Sequence, residues 1–427
     1  MNEKNLRLVT AESVRAGHPD KLCDQIADAI LDAHLAQDPF ARVAVEVMLT
    51  EGKMIIGGEV TTKAEVDCSK IAADTINRIG CSMRDLSGDP KGVLKLEIRL
   101  HKQSPDIAAA VCAKDMGAGD QGIMVGYATD ETHEYMPLPV MLAHRICRRL
   151  DELMPKCPWM GADGKAQVTM AYENGTPTSV AAVVVSLQHG AEIDRKSMKR
   201  FVGREVLSKV IPRELLTSDT RILINPSGAF VLGGAAADTG LTGRKLAVDQ
   251  YGTAAHIGGG ALSGKDATKV DRSGAYAARW IAKNVVAAGM AKRCEVQIAY
   301  AIGRSEPVSV MVDTFGTGVI SDRRIEAAVK EVFDLTPSAI IRDLCLNKPI
   351  YSGLACYGHF GRIDLCVPWE VANRKYDLLT AALNCPGLTQ IWEQPFQAKY
   401  STEDGHLLIQ LSTGKQGTVV RGYIVKT

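Results

Sequence analysis

The stretch Gly258–Gly274, GGGALSGKDATKVDRSG, constrains this chain more than any other. It holds three consecutive glycines, two lysines and two aspartates within seventeen residues. Glycine lacks a Cβ, so such a backbone can approach a bulky anion closely. Lys265 and Lys269 add positive charge, and Asp266 and Asp271 offer the hard oxygens that divalent cations prefer. Two readings stand: one wall of a polyphosphate site, or a flexible solvated loop. Gly259 to Lys265 satisfies G-x-x-x-x-G-K, but Asp266 follows where a P-loop needs Ser or Thr. The preceding VDQYGTAAHI is mixed and polar rather than a buried strand. A P-loop NTPase is therefore excluded, while an anion site is not.

The chain has 427 residues, enough for two to four domains. Hydrophobic residues make up 46% and charged residues 23%, as in soluble globular proteins. A net charge of +1 supplies no global field for nucleic acid or membranes, so any anion site must be built locally. The most apolar run, Val180–Leu187, is too short for a bilayer and reads as a buried strand. The polar start MNEKNLRLVTAES has no signal-peptide core. Eleven cysteines without a C-x-x-C pair read as reduced thiols, and together these features predict a cytoplasmic protein. The nine histidines lack zinc-ligand spacing.

SVRAGHPDK is a turn, and apolar spacing predicts a helix from Leu22 to Gln37. Asp20 lies at its start, where an acid is expected as a cap, and His18 beside it reads equally as a cap neighbour or a catalytic group. Strands are predicted over 41–49 and 53–62, hairpinned about Thr50-Glu51-Gly52, with Glu46 facing outward and Glu59 after a Gly-Gly break. A helix over 66–79 and a strand over 93–101 follow. Residues 102–122 read as a lid-like loop ending in GAGDQG around Asp120. Next come a strand at 123–127, a helix over 138–153 and two strands joined at Asn174-Gly175, with Asp163 and Lys165 at the entrance. A helix over 194–211 leads to a strand at 221, a turn at Pro226-Ser227-Gly228, a return strand at 230–232 and a glycine-rich segment. That segment carries Asp238, Arg244 and Lys245, and adjacent Arg-Lys suits phosphate oxygens. Helices over 273–288, 325–333 and 337–344 and two further strands complete the core.

The strand–strand–helix grouping recurs three times. It predicts a mixed α+β fold of predominantly antiparallel sheets with helices in three domain-sized units. The expected segments are 1–101, 114–232 and 233–383, with a C-terminal extension at 384–427. No G-x-G-x-x-G follows a strand, which argues against a Rossmann site.

ESVRAGHPDKLCDQIADAILDA, KQSPDI, GAGDQGIMVGYAT, GLTGRK, GGGALSGKDATKVDRSGAYAAR and ACYGHFGR together resemble, in order, the methionine adenosyltransferase (S-adenosylmethionine synthetase) family. The resemblance runs from about residue 8 to about residue 383. It implies that the three units are structurally related domains, with segments interleaved along the chain. It also implies that methionine sulfur attacks C5′ of ATP and displaces tripolyphosphate, which is then hydrolysed to pyrophosphate and phosphate. By match, His18 resembles the histidine near the leaving oxygen, and Asp20 and Asp271 resemble ligands of two magnesium ions. Glu46 resembles a potassium-site glutamate. Lys165, Arg244, Lys245, Lys265 and Lys269 resemble phosphate-binding cations, of which Lys165, Arg244 and Lys265 join His18 as catalytic. Asp163, Phe230, Asp238, Ala261 and Ile302 resemble residues around the nucleotide. Glu59, Gln103 and Asp120 match the methionine side, with Asp238 and Lys269 also in reach of it. A gating loop would run over Gln103–Ala113. Members of the family are homodimers or dimers of dimers with sites at the subunit interface.

The sequence departs from the family pattern in the loop AAAVCAKDM, at Ala229 where an Arg commonly precedes the Phe, at Leu262 for a usual Phe, and in the extension after residue 383. These departures motivate two alternatives, a relative acting on another thioether and a non-catalytic regulatory homologue.

Overall fold

The computed structural model describes residues 6–102 and 117–383, and the backbone of three strands of the extension. Its helices pack with antiparallel and mixed sheets, the α+β architecture expected. The three sheets of the main body draw strands from distant parts of the chain, because β pairing depends on edges and faces rather than on sequence neighbourhood.

The first sheet has the order β4-β3-β2-β9. In it β2 (Arg42–Thr50) and β3 (Lys53–Thr61) form the expected hairpin, with Thr50 opposite Lys53. Parallel to β3 runs β4 (Lys95–His101), and the two-residue β9 (Gly240–Leu241) pairs with β2 at Met48 and Leu49. The second sheet, β1-β6-β7-β8, joins β1 (Leu6–Val14) to β6 (Met160–Glu173). β6 turns at Asn174-Gly175 into β7 (Thr176–His189), and β8 (Arg221–Ile224) lies parallel to β7. In the third, β10 (Arg293–Tyr300) sits between β11 (Ser309–Asp313) and β5 (Gly122–Thr129). The extension contributes a separate antiparallel meander, Phe396–Glu403, His406–Thr413 and Val420–Val425.

Helix α1 (Pro19–Gln37) lies against β2, with Leu22, Ile26 and Ile30 at most 1% exposed. Burying each of these contributes about 1.5–3 kcal/mol. The other helices are α2 (Cys68–Ile79), α3 (Met83–Ser87), α4 (Leu138–Leu153), α5 (Arg195–Phe201), α6 (Leu246–Asp249), α7 (Val270–Ala287), α8 (Asp322–Val332), α9 (Pro337–Asp343) and α10 (Lys375–Leu383). α5 continues through a π-helical turn, Val202–Leu207.

Two expectations fail. The return strand at 230–232 is irregular chain, held instead by reciprocal bonds between Phe230 and His189. Strand β1 arises in a segment that reads as polar; pairing along its whole length with Lys165–Glu173 of β6 creates it.

Candidate active site

Strand alternation divides β2 in two. Val43, Val45, Val47 and Leu49 are buried under α1, while Ala44, Glu46 and Met48 face out. Their antiparallel partners share that outer face: Glu59 opposite Ala44, Gly57 opposite Glu46, Ile55 opposite Met48 and, on the other edge, Leu241 opposite Met48. A depression of about 380 Å³ lies there, lined by Glu46, Glu59, Met48, Ile55 and Leu241 among others.

The glycine-rich stretch adds to this face. It docks on the free edge of β2 as a short strand-like clip: Val45 N–H donates to the Gly264 carbonyl and Asp266 N–H to the Val43 carbonyl, each at 2.9 Å. Lys265 thereby bridges to Ala44 and points to the open face with Glu59. Gly264 is required there, with φ +81° and the Val45 carbonyl oxygen 2.0 Å from where a Cβ would sit. The loop is thus clipped to the edge of β2 rather than free in solvent. Asp266, the residue that breaks the P-loop pattern, is structural. It is buried, accepts Val43 N–H at 2.7 Å and Thr268 N–H at 2.8 Å, and pairs with Lys269 at 2.5 Å. Leu262 is fully buried, so the position accepts an aliphatic side chain in the core.

Two helix N-termini carry the acidic residues. At α1, Pro19 fills the first turn and His18 is the N-cap, its Nδ1 accepting Asp20 N–H at 3.2 Å. A ring that accepts at Nδ1 carries its proton on Nε2 when neutral. Burial first, then the Lys245 and Lys165 ammoniums, push the His18 pKa down to about 3, so the neutral form prevails at pH 7. Asp20 accepts Leu241 N–H at 2.9 Å and Lys245 at 2.5 Å, with Arg244 Nε at 3.8 Å. Burial alone would raise this carboxyl; the bonds from Lys245 and Leu241 hold it below its usual value. At α7, Lys269 is the N-cap residue and Asp271 lies in the first turn, paired with Lys265 at 2.5 Å. A Cβ on Gly260 would stand 2.2 Å from the Asp271 side chain, so only glycine leaves room there.

Around the first group, Asp163 accepts Gly164 N–H at 2.7 Å and Gly234 N–H at 3.0 Å, fastening the chain that leads to the exposed Asp238. Burial raises its carboxyl. Lys165 is exposed on β6, opposite Val14 of β1, and Phe230 is half-buried beside His189. Around the second group, the start of β5 runs past Asp271, and the reciprocal bonds of Ala118 with Gly303 and Arg304 bring the exposed Ile302 turn beside the segment that bears Asp120. Ala261 packs on Gly243. Glu59 contacts His101 at 3.4 Å. Gln103 and the gating segment Gln103–Ala113 lie outside the described residues. Sequence reasoning missed Asp24 and Asp28, which line the same loops from α1; their fourfold spacing after Asp20 was the available signal.

Among the described residues no group of three or more His, Cys, Asp or Glu is gathered to hold a metal. Asp20 and Asp271 each hold an ammonium at 2.5 Å, so both carboxylates are aimed at a cation. Single carboxylates beside an anionic ligand suit magnesium, which keeps water and substrate oxygens in its shell. Glu46 is one exposed carboxylate on the open face of β2.

These features gather lysines, an arginine, a neutral histidine and two aspartates about the N-termini of α1 and α7. Comparison with known proteins identifies the class. Models of the S-adenosylmethionine synthetase N-terminal, central and C-terminal domains match residues 6–105, 115–230 and 232–371. S-adenosylmethionine synthase of Desulforudis audaxviator is 51% identical over 388 residues, covering 88% of this chain and 98% of the relative. The Clostridium tetani enzyme of that name is 50% identical over 86% of this chain and 97% of its own. That of Nocardia farcinica is 49% identical over 90% of this chain and its full length. The chain belongs to the S-adenosylmethionine synthetase family and is an enzyme of methionine adenosyltransferase type; neither alternative reading is favoured.

Proposed function

We propose that this chain forms S-adenosylmethionine from ATP and L-methionine at a composite site and then hydrolyses the tripolyphosphate to pyrophosphate and phosphate. The observation that carries this reading is the pair of first-turn aspartates, Asp20 and Asp271, each bound to a lysine of a glycine-rich loop. In the transfer, a sulfur lone pair forms the S–C5′ bond while the C5′–O bond breaks, and its electron pair passes to the tripolyphosphate oxygen. A thioether has no proton to lose, so no general base is needed. The work is alignment and stabilisation of charge on the leaving group.

Neutral His18 donates from Nε2 to the leaving oxygen. Lys165, Arg244, Lys245, Lys265 and Lys269 bind the phosphates; with substrate present, the lysines now neutralising Asp20 and Asp271 turn to phosphate oxygens. Asp20 and Asp271 would hold two magnesium ions, which neutralise phosphate charge when bound. Glu46 would take part in potassium binding with donors from a second chain. Asp163, Phe230, Asp238, Ala261 and Ile302 surround the nucleotide, and Glu59, Gln103 and Asp120, with Asp238 and Lys269, the methionine.

The site is completed by a second copy. The open face of the first sheet combines apolar Ala44, Met48, Ile55 and Leu241 with the site residues Glu46, Glu59 and Lys265. A twofold axis through that face would place these charges against the partner's α1 end. We assign a homodimer, alone or paired as a tetramer. We keep 1–101, 114–232 and 233–383 as domain segments, 384–427 as an extension, and the cytoplasm as its compartment. No helix of the described residues is long and apolar enough to cross a membrane.

Purified protein incubated with ATP, methionine, magnesium and potassium is expected to yield the sulfonium product with phosphate and pyrophosphate. Product formed only with a methionine analogue would favour another thioether substrate, and no product at all would overturn the reading.

A further inference from the structure

Aspartate occupies every fourth position along the first half of α1 and beyond: Asp20, Asp24, Asp28 and Asp32. Four residues advance a helix by about 6 Å and overshoot one full turn by about 40°, so the four carboxylates form one slowly winding row. Asp20, Asp24 and Asp28 are at most 1% exposed. Buried carboxylates need compensating donors, and here each finds a backbone N–H from a segment packed against α1. Asp20 accepts from Leu241 at 2.9 Å, Asp24 from Gly243 at 2.8 Å, Asp28 from Gly264 at 2.7 Å, and Asp32 from Ser352 at 2.7 Å.

The middle two rungs concern the reaction. Gly243 immediately precedes Arg244 and Lys245, and Gly264 immediately precedes Lys265. Each of the two carboxylates is also anchored from behind by its own buried cation. Lys21 binds Asp24 at 2.7 Å and reaches Asp249 as well. Arg272 grips Asp28 through both terminal nitrogens, at 2.7 and 2.8 Å, and donates to the Lys265 carbonyl at 2.9 Å. The Lys265 peptide is therefore tied on both sides, and the lysine that must meet phosphate stands on a backbone that has little freedom to retreat.

We propose that Asp24 and Asp28 are positioning residues for the phosphate-binding loops, Asp24 fixing the Gly243 peptide ahead of Arg244-Lys245 and Asp28 fixing the Gly264 peptide ahead of Lys265. They touch no substrate. They hold each phosphate-binding loop to one rigid helix, so the cations of both loops are set before substrate arrives. Pre-set cations lose no reorganisation energy when charge develops on the leaving group. The inference rests on the reading of Lys245 and Lys265 as phosphate ligands, and the test separates the two.

The test is a double-mutant cycle between Asp24 and Lys245, read as kcat and KM with inorganic tripolyphosphate and with ATP plus methionine, alongside urea unfolding. Asp24→Ala is expected to raise KM for tripolyphosphate about tenfold, the loss of one hydrogen bond to a group that must be held. In the Lys245→Ala background the same change is expected to cost under about twofold, because the cation it positions is gone. Asp24→Asn retains an acceptor for Gly243 N–H and should recover most of the KM. Where Asp24→Ala does not fold, Lys21→Met/Asp24→Leu/Asp249→Asn removes the buried charges of this cluster together and replaces it in the cycle. Equal losses in both backgrounds would assign Asp24 to stability alone and overturn the inference. So would normal KM in folded Asp24→Ala, or an Asn variant as defective as the Ala variant. Normal tripolyphosphate turnover in Lys245→Ala alone would instead remove the phosphate role of that loop, and the positioning role with it. A defective Lys245→Ala beside an unaffected Asp24→Ala would leave the phosphate role standing and sink only the tether.

Discussion

The N-termini of α1 and α7 are built from the same parts and held differently. Each has an aspartate in its first turn and a lysine from a glycine-rich loop at 2.5 Å. At α1 the Asp20 side chain is 2% exposed and fixed by Leu241 N–H, with a neutral histidine as the cap. At α7 the Asp271 side chain is 15% exposed, its lysine 22%, and the N-cap residue makes no side-chain cap bond. The α1 end is the more enclosed of the two. The other lies on the side that carries the open sheet face, where a second chain would complete it. The difference teaches that helix dipole and acid alone do not specify a cation position; the number of fixed neighbours decides how preformed it is.

The comparison can be broken by substitution. Asp20→Asn is expected to have the largest effect, a fall in kcat of about 1000-fold, since it removes a charge from a site with no room to reorganise. Asp271→Asn and Lys265→Ala should each cost about 100-fold with folding unchanged. Raising magnesium should recover more activity in Asp271→Asn than in Asp20→Asn, because water can replace the missing ligand only at the more open end. Equal recovery, measured as rate against magnesium concentration, would erase the distinction between the two ends.

Acid separates the ends next. In the unfolded chain His18 takes up its proton near its ordinary value, about 6.5. In the folded chain it does so only near 3. Between these values the unfolded state binds more protons, so this stability is complete above about pH 6.5 and is lost as pH falls toward 3. His144, also pushed down to about 3 by burial first, acts in the same direction. From pH 7.5 to 5 the urea midpoint of the wild type should fall relative to that of His18→Gln. No activity inflection near 6.5 should arise from His18 itself.

The smallest effect is expected in the extension. The match to the C-terminal domain model ends at residue 371, and the extension has its own separate meander. Truncation after Leu383 should leave kcat within about twofold. A larger loss would tie the extension to the site.

Much of the architecture was legible because it is local. The β2–β3 hairpin, the Asn174-Gly175 turn, α4 and α7 follow from periodicity and turn chemistry. β1 was not, since its exposed Leu6 and Leu8 give no clear alternation and only β6 makes them a strand. The polar side of α1 was not legible. Asp20, Lys21, Asp24 and Asp28 lie off its apolar stripe, yet all four are at most 1% exposed. Periodicity distinguishes apolar from polar, not solvated from internally satisfied, and a carboxylate paired with loop N–H groups and a buried cation sits inside.

By itself, then, the sequence determined the elements, the excluded P-loop, the family resemblance and the inventory of charges, because each depends on short spacing or on matched motifs. Only the tertiary structure decided which charge does what. In GGGALSGKDATKVDRSG, one aspartate faces inward to clip the loop to β2 and the other faces a lysine at a helix end. They are five residues apart and chemically identical. The edge of a strand, supplied by a segment more than two hundred residues away, tells them apart.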